Sequence, residues 1–396
     1  MDQAVLSIAS VVFLIVAAQF GSSEDLGSFV LGLSTAVLMQ SLTRAICGET
    51  LLVRSTRQDF RDDEVGYSLS LALIISLTVA GVLLAVTLTF PELGLFCGSL
   101  AVAQFGLIFQ DAVRFANLAR GRSMSLIIAD TAYAVATCSG IYLAGYSGFG
   151  SNGMLLALGI GAGIVGFVGA LTGKMSLRFR AGVVWLVHHW RLNSSFVSEA
   201  AIGAILGYSV TLVLNFYVSG AELAAYRSVL SIFGFTSLAI NFLRTMVLRD
   251  LRASSVARWR SFWHKSILMG SLVMVTVGVT YAILAFIPST VGSLLFGGTW
   301  QLMSVLFAAA AVNRMFAGLS IIPTIFLRVQ GVTWRATIVR IALTLCGFGV
   351  SPVGAFLAGA EGALLAEAVL YLALTLTLMR LSRQAAAGGK HRRTST

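Results

Sequence analysis

The 396-residue chain is 57% hydrophobic and only 11% charged, with 27 Lys and Arg against 16 Asp and Glu and a formal net charge of +11. A soluble domain carries about 25% charged residues, so this composition excludes a soluble globular protein. It predicts an all-α polytopic membrane protein, because lipid offers no partners to backbone groups and helices satisfy their own.

Apolar stretches long enough to cross roughly 30 Å of hydrocarbon at a rise of about 1.5 Å per residue recur along the chain. They predict twelve spans, at 4–20, 26–50, 66–90, 93–113, 123–145, 152–172, 196–219, 223–247, 265–287, 302–326, 334–357 and 361–381. The first span lacks a basic n-region and a small-residue cleavage site, so it is expected to be retained rather than removed as a signal peptide. The second ends in SLTRAICGETLLVR and carries Arg44 and Glu49 in an otherwise apolar run. Ser34, Gln40, Ser41, Arg44 and Gly48 fall within about 120° of helix surface, a single polar stripe. On a regular α-helix Glu49 lies roughly 140° from Arg44, which excludes a simple intrahelical pair.

In the fourth span Gln104, Asp111, Arg114 and Asn117 share one face, and Asp111 and Arg114 are placed to pair at i, i+3. Asp130, in the fifth, lies a few residues from the basic end of its span. GIGAGIVG in the sixth contains GxGxxG, but it lacks the preceding strand and the following acid of a dinucleotide site. Its Gly159 and Gly163 instead form a small-xxx-small face for close helix packing. Between the sixth and seventh spans, 173–195 is basic and carries Trp185 and Trp190, which fits either a helix lying in the membrane interface or an ordinary loop.

In the second half, Arg227, Glu199 and Glu367 all read as shallow, Arg244 can snorkel to the headgroups, and Arg340 lies a few residues in from the basic end of its span, at a position matching Asp130. Arg314 is about 12 residues into its span, roughly 18 Å deep at helical rise. The last residues, 383–396, read as a basic, disordered tail.

Alternate connections carry the basic residues, among them Arg54, Arg57, Arg61, Arg120, Arg122, Lys174, Arg178, Arg180, Arg249, Arg252 and Arg328. The intervening ones carry only Glu24, Asp25, Glu92, Glu222 and Glu361. This positive-inside pattern predicts a bacterial plasma membrane protein with both termini cytoplasmic. The basic excess then faces anionic inner-leaflet lipid rather than nucleic acid. Short outer connections leave little room to hold a sugar acceptor, which speaks against a membrane glycosyltransferase or polymerase. Cys47, Cys97, Cys138 and Cys346 stand singly and the histidines have no ligand spacing, so neither a metal nor a cofactor is expected.

Three weak echoes, EDLGSF with AELAAY, ARGRSMSLIIAD with RVQGVTWRATIVR, and NGMLLAL with EGALLAE, recur in the same order. They predict two related six-helix lobes, 1–172 and 196–382, joined by the 173–195 linker and placed around a central cavity.

A charge at the bilayer centre costs from about 2.5 to more than 10 kcal/mol and is functional by default. The embedded set is basic on balance. Because a guanidinium donates two parallel hydrogen bonds and stays charged when desolvated, Arg44, Arg227, Arg314 and Arg340 are the candidates for binding a diphosphate or other anionic headgroup. Asp111, Arg114, Asp130, Glu199 and Glu367 are the candidates for ion coupling or for pairing those arginines as structural glue.

DLGSFVLGLSTAVLMQSLTRAICGETLLVR, FQDAVRFANLARGRS and LLFGGTW resemble bacterial polysaccharide biosynthesis proteins. These are the lipid-linked oligosaccharide flippases of the multidrug/oligosaccharidyl-lipid/polysaccharide exporter superfamily. The resemblance implies a non-enzymatic flippase that moves polyprenyl-diphosphate-linked sugars from the inner to the outer leaflet by alternating access. It also implies glycosyltransferases and a polysaccharide polymerase as neighbours in the same process. Two other readings stand beside it: an ion-coupled multidrug or cation exporter of the same superfamily, and a non-transporting scaffold of cell-wall assembly.

Overall fold

A computed structural model describes residues 2–20, 22–55, 60–234, 259–329 and 333–391. Every regular element among them is helical. In chain order these are α1 (Asp2–Phe20), α2 (Ser23–Thr43), a π-helical turn (Arg44–Glu49), α3 (Thr50–Ser55), α4 (Asp63–Thr89), α5 (Gly94–Ala119), α6 (Ser123–Tyr146) and α7 (Gly150–Thr172). They continue with α8 (Phe179–His188), α9 (Trp190–Tyr217), α10 (Gly220–Ile232), α11 (Trp259–Phe286), α12 (Ser289–Phe296), α13 (Thr299–Val329) and α14 (Thr333–His391). The chain divides into two compact units, one running to Thr211 and the other from Leu212.

Eight helical stretches among the described residues are long and apolar enough to cross a membrane. The last of them, Trp334–Ala385, has 52 residues, enough for two crossings at helical rise. It is in fact folded back on itself. Ala358 (φ −147°, ψ 32°) and Gly359 (φ 58°, ψ −146°) leave helical geometry, and the positive φ at Gly359 is one that glycine adopts without strain. Gly354 and Gly362 then approach so closely that a Cβ on the first would lie 2.4 Å from the carbonyl oxygen of the second. Ala336 packs with Leu374 and Leu378, the pairing an antiparallel hairpin centred near residue 358 requires. α14 therefore holds the predicted spans 334–357 and 361–381. It runs on to His391, into the stretch that composition assigns to the tail.

Two helix starts, beside the EDLGSF and AELAAY stretches, are capped alike. Ser22 caps α2, accepting from the Asp25 amide at 3.1 Å while its own amide donates to the Asp25 carboxylate at 3.3 Å. Ser219 and Glu222 form the same reciprocal box on α10, at 3.2 and 3.4 Å. Such a box satisfies two of the orphan donors at a helix start.

In the first unit α5 is the central helix, and its contact with α7 is backbone to backbone. A Cβ on Gly106 would lie 1.9 Å from the Gly159 carbonyl oxygen, and one on Gly159 would lie 2.5 Å from Cα of Ala103. The small-residue face of 159–166 serves the close packing expected of it. At one end of this unit Asp25 accepts from the Ser151 amide at 3.3 Å. At the other, basic end, Arg120 grips Asp62 with two hydrogen bonds of 2.6 and 2.7 Å and donates to the Gly173 carbonyl at 2.8 Å.

Arg120 holds the Asp62 carboxyl below its ordinary value, chiefly through those hydrogen bonds. A carboxylate whose folded pKa is depressed stabilises the fold above its unfolded value of about 3.9, and loses that contribution as pH falls through the folded value. Asp62 is 70% exposed, so the pair is worth less than about 1 kcal/mol. Asp62→Asn is expected to lower the thermal midpoint slightly at pH 7 and to converge with the parent protein only as pH falls from about 3.9 through the lower folded value of Asp62, as light scattering on a temperature ramp would show.

Candidate functional site

Each unit carries its own cluster of intramembrane charge. In the first, the stripe on α2 ends in the π-helical turn Arg44–Glu49. A π-turn hydrogen-bonds i to i+5 and occurs frequently at functional sites. Two neighbours fit its widened backbone. Phe115 of α5 lies where a Cβ on Gly48 would come within 2.7 Å of the ring, and the Ser68 hydroxyl of α4 donates to the Cys47 carbonyl at 3.2 Å. The turn also brings Glu49 within electrostatic reach of Arg44. That departs from the separation expected of a regular α-helix, because π spacing stacks residues five apart.

Arg44 reaches across to α5 and forms a bidentate pair with Asp111, Nε to Oδ2 at 2.9 Å and Nη2 to Oδ1 at 2.8 Å. Arg114, one turn further along α5, reaches α6 instead, its Nε 3.2 Å from Oδ2 of Asp130. The i, i+3 pairing of Asp111 with Arg114 anticipated from spacing gives way to two inter-helix pairs, because each partner has an opposite charge facing it from a neighbouring helix. Phe115 sits between the guanidiniums, 5.6 Å from Arg44 and 6.0 Å from Arg114. Gln110 extends toward Asp130 at 3.5 Å. The two pairs differ in exposure. Arg114 and Asp130 are buried, at 6% and 0%, whereas the Arg44 side chain remains 34% exposed while Asp111 is buried.

A third buried pair lies nearer the basic end. Arg54 of α3 clasps Glu64 of α4 at 3.0 and 2.8 Å, and Trp185 of α8 donates its indole N–H to the same carboxylate at 3.1 Å. Sequence reasoning missed Glu64. Its signal was an acid opening an apolar helix ten residues after an arginine.

The second unit gathers Tyr226 and Arg227 from α10, Asn313 and Arg314 from α13, and Glu367 and Tyr371 from α14. Arg314 stands at the midpoint of the 31-residue α13. Glu367 is buried and accepts from Asn313 Nδ2 at 2.9 Å and from the Tyr226 side chain. Asn313 Nδ2 also donates to the Leu364 carbonyl at 3.2 Å. Arg227 and Arg314 are within electrostatic reach of each other and of Glu367. Arg314 donates from Nη2 to the Leu230 carbonyl at 3.4 Å, while its Nε is buried without a hydrogen-bond partner among the described residues. Two guanidiniums thus converge on one carboxylate that two neutral donors already engage. Tyr226 and Asn313 each immediately precede a candidate arginine, a doublet pattern that was open to notice.

Of the remaining candidates, Arg340 is half-buried and enters this cluster through its interaction with Tyr371. Glu199 lies on α9, with its side chain outside the described residues, and Arg244 lies outside them altogether.

No protein-family model matches the chain, and no curated protein matches it in sequence. Solved structures do. An inward-facing multidrug resistance MATE family transporter of the MOP superfamily superposes with a TM-score of 0.73 at 14% identity, over 97% of this chain and 95% of its own. The lipid II flippase MurJ in an inward closed conformation gives 0.73 at 12%, over 96% and 87%. The MATE multidrug transporter DinF-BH gives 0.66 at 16%, over 98% and 94%. The chain has the fold these MOP-superfamily transporters share, across nearly its whole length.

Proposed function

We propose that the protein is a membrane flippase that moves a polyprenyl-diphosphate-linked oligosaccharide from the inner to the outer leaflet of the bacterial plasma membrane by alternating access. The observation that carries this reading is the cluster in the second unit, where Arg227 and Arg314 converge on the already engaged carboxylate of Glu367 and the Arg314 Nε has no hydrogen-bond partner among the described residues. A buried polar donor left unpaired is costly. An incoming phosphate oxygen would relieve that cost and the arginine–arginine repulsion together.

In this reading Arg227 and Arg314 bind the anionic headgroup, and Arg340 flanks them. Arg44, paired yet one-third exposed, exchanges Asp111 for substrate in the other unit. Glu367, Asp111 and Asp130 are the groups through which a proton or cation could be coupled. Both termini are cytoplasmic, as the charge pattern of the loops supports. Glycosyltransferases build the cargo, and a polymerase uses it afterwards.

The likeness to a lipid II flippase supports a lipid-linked cargo. The likeness to multidrug transporters supports the rival, and the buried acids Asp111 and Asp130 are what a cation exporter would use. The basic character of the second cluster favours the anion. Purified protein in proteoliposomes decides between them. A fluorescent polyprenyl-diphosphate sugar is expected to become accessible to a membrane-impermeant quencher in a protein-dependent manner, whereas a lipophilic cationic dye is not exported. Export of the dye with no movement of the lipid would reverse the assignment.

A further inference from the structure

α8 is too short to span a membrane, since its 10 residues cover only about 15 Å at helical rise. It lies instead on the first turns of α4, held at three points. The Arg178 amide donates to the Ser70 hydroxyl at 2.6 Å, and a Cβ on Gly182 would come within 2.7 Å of the Tyr67 carbonyl oxygen. Trp185, 5% exposed, is fastened to Glu64. Beside this floor opens a groove of ≈ 710 Å³ whose lining includes Tyr67, Phe179, Val184 and Trp185 with Arg180 and His188. That volume falls within the range of about 300 to 1,000 Å³ typical of small-molecule sites.

The groove has an apolar body and a basic rim. Phe179 and Val184 of its lining are 47% and 63% exposed, a surface that water alone would leave unfavourably wet. Arg178 spends its charge on Asp63 at 3.3 Å, and Asp63 also faces Arg61 at 3.8 Å. Glu64 is turned beneath the helix to Arg54. Arg180 has no ion pair among the described residues. Exposed Trp190 follows at the helix end, where an amphipathic ring suits the headgroup level, and α4 leaves most of its apolar length uncovered above the groove.

We infer that this groove binds one anionic phospholipid from the leaflet facing the basic ends of the first unit. Arg180 and His188 meet its phosphate, and Phe179, Val184 and Tyr67 hold the start of an acyl chain. A cationic rim over an apolar bed, both at the level of the helix ends, matches a lipid in both of its parts. An acidic peptide would use only the first. The site is separate from the transport cluster, and lipid retention reads it without any transport assay.

The full-length protein in nanodiscs of equal phosphatidylglycerol and phosphatidylcholine is released for native mass spectrometry. The parent protein is expected to retain phosphatidylglycerol in preference. Arg180→Gln is expected to reduce that preference about fivefold, the effect of roughly one basic side chain at an anionic surface, and Val184→Asp to reduce retention of both lipids. Both positions are exposed, so unchanged thermal midpoints are expected alongside. Equal phosphatidylglycerol retention in parent and Arg180→Gln would overturn the inference. So would displacement of the bound lipid by millimolar inorganic phosphate, which would mark a free-anion site, or by an acidic peptide, which would mark a protein-docking face.

Discussion

Asp130→Ala is expected to cause the largest loss of stability in the protein. Asp130 is fully buried and holds Arg114, itself only 6% exposed. Deleting one partner of a buried pair strands the other charge without compensation, which typically costs about 3 to 5 kcal/mol. The signature is in the cycle rather than the single change. Replacing both partners, Asp130→Ala with Arg114→Leu, removes the stranded charge and is expected to recover at least half of the lost stability. Folded yield and thermal midpoint measure both steps. If the double variant is as unstable as the sum of the singles, the pair is not the unit that the geometry indicates.

Arg314→Gln is expected to do the opposite. Removing a guanidinium that stands near Arg227 and leaves Nε unpaired relieves repulsion and desolvation together. The thermal midpoint should therefore stay level or rise while transport falls by at least about tenfold, the loss corresponding to one charge-assisted hydrogen bond of about 1.4 kcal/mol or more. Stability gained on losing a site residue is the usual mark of a function-bearing strain. A residue acting only as helix-to-helix glue would move both quantities down. The two variants thus place the two clusters on opposite sides of one criterion.

Much of the fold was legible because lipid imposes so strict a rule on it. Apolar length alone located the hairpin at Ala358–Gly359, splitting 334–357 from 361–381. The weak echo between EDLGSF and AELAAY marks similar capping boxes at Ser22 and Ser219. The π-turn was not legible. It depends on Phe115 and Ser68, which no local pattern in RAICGE announces, and it alters which residues share a face with Arg44. Partner choice was also hidden. Spacing allows Asp111 to meet Arg114, yet each finds an opposite charge on another helix, and such tertiary competition leaves no trace in a helical wheel. Residue type placed Arg227 and Arg314 in one candidate set, but depth set them apart, the first shallow and the second mid-span, and their approach to Glu367 emerges only in the fold. The completion of that cluster by Tyr226 and Asn313 required the three-dimensional arrangement of α10, α13 and α14.

The central claim is that these arginines read a lipid diphosphate. Its most direct test compares initial flipping rates of matched fluorescent lipids carrying a diphosphate-linked or a monophosphate-linked sugar, in proteoliposomes of the parent protein and of Arg314→Gln. The account predicts a clear preference for the diphosphate in the parent protein and its collapse toward equal, slow rates in the variant. An unaltered preference in Arg314→Gln, at equal reconstituted protein, would contradict it.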